Sequence, residues 1–137
     1  MDDHERDAFL AGPYVGALSL ARADGSPLVL PIWYRWDGTA VRLWTDPAFP
    51  WVARLPSEPR VAFAVFEHAV PFRAVSIRGM AAIRTGTFAE LRDEAHAIVA
   101  RYIDPAAVDR TVDSYDRGTP KAIVTIVPSS IRALVNS

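Results

Sequence analysis

Residues 26–61, SPLVLPIWYRWDGTAVRLWTDPAFPWVARLPSEPRV, constrain the fold more than any other stretch of the chain. Two short apolar strands, Leu28 to Trp36 and Ala40 to Thr45, meet at Asp37-Gly38, a pair that tolerates the positive φ values of a tight hairpin. Thr45 closes the second strand, and Asp46 to Pro50 is a proline- and aromatic-rich loop. Pro50 suits the first position of a helix, so Trp51 to Leu55 reads as a turn or two of helix, stopped by Pro56 and Pro59.

The flanking segments extend this pattern. Asp7 to Ala11 reads as a short leading helix ended by Gly12-Pro13. Tyr14 to Arg22 alternates as a strand does, and Ala23-Asp24-Gly25-Ser26 is a second hairpin signal. Arg60 to Phe66 is apolar on both faces and predicts a central, doubly covered strand. A turn at Glu67 to Pro71 leads to a long strand, Arg73 to Arg84, with Gly79 at a bulge or close approach. The period then changes. Phe88, Leu91, Ala95, Ile98, Val99 and Tyr102 share one helical face, and Thr87 with Glu90 forms a capping box. Asp104-Pro105 opens a second helix carrying Val108, Val112 and Tyr115. Arg117 to Pro120 breaks it, and Lys121 to Val127 is a last strand ended by Pro128. Six strands with helices inserted late predict a mainly β protein with flanking helices, a small barrel. The βαβ alternation of a parallel sheet is missing.

The chain has 137 residues, half of them hydrophobic, so residues 1–137 are read as a single domain. A domain of this size buries roughly 68–70% of its unfolded surface. With 15 basic and 16 acidic residues the formal net charge is −1, which gives no electrostatic footprint for nucleic acid or a membrane surface. Cysteine is absent, so disulfides, thiolate nucleophiles and Cys-ligated metals are excluded. The acidic opening MDDHERDAFLAG has no long apolar run, so neither a secretory leader nor a membrane span is expected, and a cytoplasmic location is.

Reactive constellations are few in this sequence. There is no P-loop, GxGxxG or GxSxG motif. His4, His68 and His96 lack metal-ligand spacing, so no metal site is expected. Glu90, Asp93 and Glu94 begin a helix, where acids suit the macrodipole. The aromatics stand out instead: Trp33, Tyr34, Trp36, Trp44, Phe49 and Trp51 fall in one short segment. Trp36 and Trp44 read as core. Trp33 and Tyr34 lie on opposite faces of a strand, so one of them must point away from the barrel interior, toward a ligand or a partner subunit.

The order of these features carries a resemblance: Pro31-Ile32-Trp33-Tyr34, Asp37-Gly38, Leu43-Trp44-Thr45, a loop, Val52-Ala53-Arg54-Leu55, then Glu58-Pro59-Arg60-Val61. Arg78-Gly79, Arg101-Tyr102-Ile103 and Ile126-Val127-Pro128 fit it too. Over roughly residues 8–134 the chain resembles the split-barrel flavin-binding proteins related to pyridoxamine 5′-phosphate oxidase, especially the subgroup that includes deazaflavin (F420)-dependent reductases.

The resemblance implies a six-stranded antiparallel split β-barrel of the FMN-binding type that forms a homodimer with its cofactor sites in the dimer groove. It implies FMN, or alternatively F420, as cofactor and hydride transfer to or from a small organic substrate, with no catalytic side chain required. The ring is expected on Pro31, Ile32, Trp33 and Tyr34, and the phosphate arm at Thr45 and the helix after it. Phe49 and Trp51 stand where the family usually carries basic residues. Arg54, on the same helical face as Trp51, is expected to supply the cation beside Trp51. Those two aromatics also suggest alternatives: a non-catalytic holder of a planar apolar ligand such as a tetrapyrrole, or a structural dimer without cofactor.

Overall fold

The structure, a computed structural model, describes residues 1–135. Helix α1 (Asp3–Leu10) begins earlier than its sequence suggests, because the Asp2 carboxylate accepts the Glu5 N–H at 2.8 Å and caps it. The strands are β1 (Gly16–Ala21), β2 (Pro27–Ile32), β3 (Arg35–Trp36), β4 (Val41–Thr45), β5 (Arg60–Phe66), β6 (Ala74–Gly86) and β7 (Lys121–Leu134). Helix α2 (Pro50–Arg54) follows β4, while α3 (Phe88–Val99) and α4 (Val108–Asp113) separate β6 from β7.

All seven strands form one antiparallel sheet in the order β2-β1-β5-β6-β7-β4-β3. This corrects the six-stranded barrel. The expected strand from Leu28 to Trp36 is two strands, and they lie on opposite edges of the sheet. Only Trp33 and Tyr34 separate them in the chain. The three steps from Ile32 to Arg35 span at most about 11 Å, so the sheet must curl until its edges face one another. Among the described residues no ladder joins β2 to β3, and the barrel stays unclosed by backbone bonds.

β7 also runs further than expected, straight through Pro128. The register between β6 and β7 shifts at Arg78/Gly79, and Gly79 lies opposite Pro128. Any Cβ on Gly79 would come within 2.4 Å of the Val127 carbonyl oxygen. The bulge therefore absorbs the proline, which has no N–H to give the ladder. Thr87 and Glu90 form the expected capping box at the start of α3.

The inward faces of the strands make the core, with Leu18, Tyr34, Phe63, Ile77, Val124 and Ile126 buried. A second, smaller cluster forms outside the barrel, where Ala95, Val99, Val108 and Val112 of α3 and α4 pack against Trp33, Trp44 and Tyr115. These two helices pack over the β4–β7 side of the sheet, behind Trp44. None of the described helices is long and apolar enough to cross a membrane.

Candidate functional site: the seam and the aromatic groove

At the seam, where the chain passes from β2 to β3, the backbone loses its ladder partners, and side chains from the end of α3 replace them. The Tyr102 hydroxyl accepts the Tyr34 N–H at 3.1 Å and donates to the Tyr14 carbonyl at 2.8 Å. Arg101 donates to the carbonyls of Tyr34, Leu10 and Gly12. Its guanidinium lies 4.6 Å from the Tyr34 ring centre and 5.1 Å from that of Tyr102. Tyr34 itself is fully buried in the barrel and donates its hydroxyl proton to Leu10 O at 2.7 Å. Burial pushes that hydroxyl up to about 12, although Arg101 acts in the opposite direction. Trp33 is the member of the pair that turns away from the interior, and it stacks on Tyr102 at 4.6 Å and 9°.

Beside the seam, β2, β4, the loop before α2 and the start of β7 enclose a groove of about 610 Å³. Its flat walls are Leu30, Ile32, Trp44 and Trp51, with Phe49 at the rim, 52% exposed. Trp44 is held in place by Phe88, edge-on at 6.4 Å, and Tyr115, stacked at 6.4 Å. The polar end of the groove is Thr45, Asp46, Arg117 and Lys121. The β4–β7 ladder builds this end by pairing Thr45 with Ala122, which brings Lys121 beside Asp46. A volume of this size, mostly apolar with a few convergent polar groups, suits a small planar molecule carrying an acidic group.

The residues named from sequence are therefore split. Ile32, Thr45 and Trp51 line one groove. Pro31 faces the outer side of the sheet, beside Val29 and Phe66. Trp33 and Tyr34 belong to the seam, and the Tyr34 side chain lies inside the barrel. Arg54 lies beyond Trp51 in an adjoining hollow of about 640 Å³ under the β1–β2 hairpin, where its Nε donates to Ala21 O at 3.2 Å. Trp36 is core, as its sequence context suggests, whereas Trp44 both packs on the helices and lines the groove. Sequence reasoning missed Lys121 and Arg117. Two cations bracketing Gly118-Thr119-Pro120 were the available signal, but it has meaning only once β7 is known to pair with β4.

A family model described as pyridoxamine 5′-phosphate oxidase matches residues 2–134, and the chain belongs to that family. Among solved structures, the conserved hypothetical protein Rv2991 from Mycobacterium tuberculosis is 23% identical with a TM-score of 0.80, over 98% of this chain and 85% of that one. A structure described as an F420 reductase is 23% identical with a TM-score of 0.71, over 92% of this chain and 94% of that one. A heme-binding protein from Mycobacterium smegmatis is 18% identical with a TM-score of 0.69, over 98% of this chain and 54% of that one. At such identities the likeness shows a shared fold. No curated protein matches the chain.

Proposed function

We propose that this member of the pyridoxamine 5′-phosphate oxidase family is a cytoplasmic oxidoreductase that uses FMN, or alternatively F420, to transfer a hydride to or from a small organic substrate, and that it works as a homodimer. The observation that carries the reading is the groove itself. Its walls of Leu30, Ile32, Trp44 and Trp51 suit the two faces of a flat ring, and its far end gathers Thr45, Arg117 and Lys121. Those residue types fit an isoalloxazine-like ring with a phosphate-bearing arm. The F420 reductase of the same fold adds support.

In this reading the bound cofactor supplies the hydride chemistry, and the chain supplies orientation and shielding. Trp44 and Trp51 exclude water from the ring, and Ile32 supports it. Thr45 offers its hydroxyl to the arm. Trp33 and Tyr34 act at one remove, because the seam they form fixes where β2 ends and hence where Ile32 sits. Support for the dimer comes from the outer face of the sheet, which carries Ala17, Ala62 and Ala64 flanked by Val29, Phe66, Met80 and Val127, the last four exposed. Such a face suits a partner. A monodisperse monomer in sedimentation at micromolar concentration would contradict the dimer.

A second reading has its own observation. Phe49 and Trp51 make the α2 side of the groove aromatic where a phosphate site would be cationic, and a heme-binding protein shares the fold. A non-catalytic holder of a planar tetrapyrrole follows from that. The deciding experiment is titration of the purified protein with FMN, F420 and hemin, followed by tryptophan fluorescence and absorbance. Saturable quenching by FMN or F420 supports the oxidoreductase. Hemin binding with a Soret band, and no response to either cofactor at millimolar concentration, replaces it with the tetrapyrrole holder.

A further inference from the structure

We infer that Lys121, with Arg117, holds the phosphate of the cofactor at the β7 end of the groove, and that α2 does not. The inference rests on the flavin-type reading above and assigns a subsite within it.

Helix α2 has little to offer an anion. It is five residues long, its N-cap Phe49 makes no side-chain capping bond, and Pro50 has no N–H. The N–H groups of Val52 and Ala53 are both spent on the Phe49 carbonyl at 3.0 Å. Arg54 faces the adjoining hollow, with Trp51 between it and the groove, and its Nε is committed to Ala21 O.

The opposite end of the groove differs in each respect. Lys121 is buried, 6% exposed, and the contacts of its ammonium are long. Thr119 Oγ1 lies at 3.4 Å and Asp46 Oδ2 at 3.8 Å. Charge-assisted hydrogen bonds normally close to about 2.7–2.9 Å. An ammonium has three donors, and burying it without good acceptors is costly. A phosphate entering beside Thr45 would meet an ammonium with room for a closer acceptor than Thr119 or Asp46, with Arg117 lining the same end. Asp46 is the competitor: its carboxylate is the nearest anion to Lys121, and it repels a bound phosphate.

The test is the ratio of FMN affinity to riboflavin affinity, because the two ligands differ only in the phosphate. Wild type should prefer FMN by tenfold or more. Lys121→Met should lower that preference about tenfold while riboflavin affinity stays within twofold, and Lys121→Arg should retain it. Asp46→Asn should raise it several-fold, an opposite sign that does not depend on Lys121→Met folding well. A lysine serving only to tie the loop to β7 would, when replaced, weaken both ligands together or neither. If riboflavin binds and the FMN preference survives Lys121→Met, or is lost on Arg54→Ala instead, the inference is overturned while the flavin reading stands. If wild type binds neither flavin, both are overturned.

Discussion

The seam and the groove are neighbours built from the same stretch of chain, yet their polar groups are in opposite conditions. At the seam the Tyr34 amide and carbonyl, left without strand partners, are both met by side chains: the N–H donates to the Tyr102 hydroxyl, and the carbonyl accepts from Arg101. In the groove a buried ammonium has its nearest acceptors at 3.4 and 3.8 Å, and large rings stand partly open. A satisfied network holds a structure in one arrangement. One whose contacts are long, next to open apolar surface, is suited to receiving a closer partner. Aromatic residues alone do not separate the two regions, since both are rich in them. The state of the hydrogen bonds does.

The largest expected effect breaks the seam. Arg101→Ala removes the donor shared by three carbonyls and should cost about 3 kcal/mol or more in chemical denaturation, by the usual cost of leaving buried polar groups unpaired. If the loss is below about 1 kcal/mol, the seam is not what holds the barrel. The converse change sharpens the groove. Trp51→Lys places a cation on the α2 side, where the family usually has one. Because the phosphate is assigned to the β7 end, this change should leave the preference for FMN over riboflavin nearly unchanged, while losing an aromatic wall weakens both flavins by roughly 1 kcal/mol or more. Calorimetric titration of both flavins would measure it.

A third effect concerns the turn that leads from the seam into β4. Burial opposes the charge on Asp37, but the N–H groups of Thr39 and Ala40, the Thr39 hydroxyl and Arg42 outweigh it, and the carboxyl is held at about 2. Its ordinary value is 3.8, so the folded state binds this proton less readily than the unfolded chain. The resulting stability is present above pH 4 and is lost as pH falls toward 2. Its size is on the order of 1–2 kcal/mol. In Asp37→Asn the acid limb of the stability profile should flatten by that amount. The smallest effect lies outside both regions: Thr87→Ala removes the α3 cap, should cost about 1 kcal/mol, and should leave flavin affinity unchanged.

Much of this architecture was legible in the chain. The Asp-Gly turns, the Thr87–Glu90 box and the bulge at Gly79 all depend on local chemistry, and each lies where its residues predict. β5 lies inside the sheet and is apolar on both faces as expected, but it is not doubly covered: Phe66 is exposed, and Ala62 and Ala64 are only half-buried, because nothing among the described residues packs on its outer side. What local chemistry cannot report is which strand lies beside which. Leu28 to Trp36 reads as one strand because its residues suit one, and only the curl of the sheet divides it. Pro128 reads as a stop because its partner, the bulge at Gly79, is far away in sequence. Lys121 reads as the first residue of a strand. Its place beside Thr45 and Asp46 comes from the β4–β7 pairing, which joins Thr45 to Ala122, 77 positions further along the chain. The sequence marks out the aromatic segment that holds the candidate residues, but not the groove that gathers Ile32, Thr45 and Trp51 and leaves out Pro31, Trp33, Tyr34 and Arg54.

Hydrogen–deuterium exchange with and without saturating FMN tests the contrast between the two regions most directly. Exchange should slow over residues 45–51 and 115–121, with residues 10–14 and 33–36 unchanged because they lie outside the groove and their amides are already bonded, those of Ala11, Gly12 and Tyr14 to backbone carbonyls and that of Tyr34 to the Tyr102 hydroxyl. Protection confined to the seam segments, with the groove segments unaffected, would contradict it.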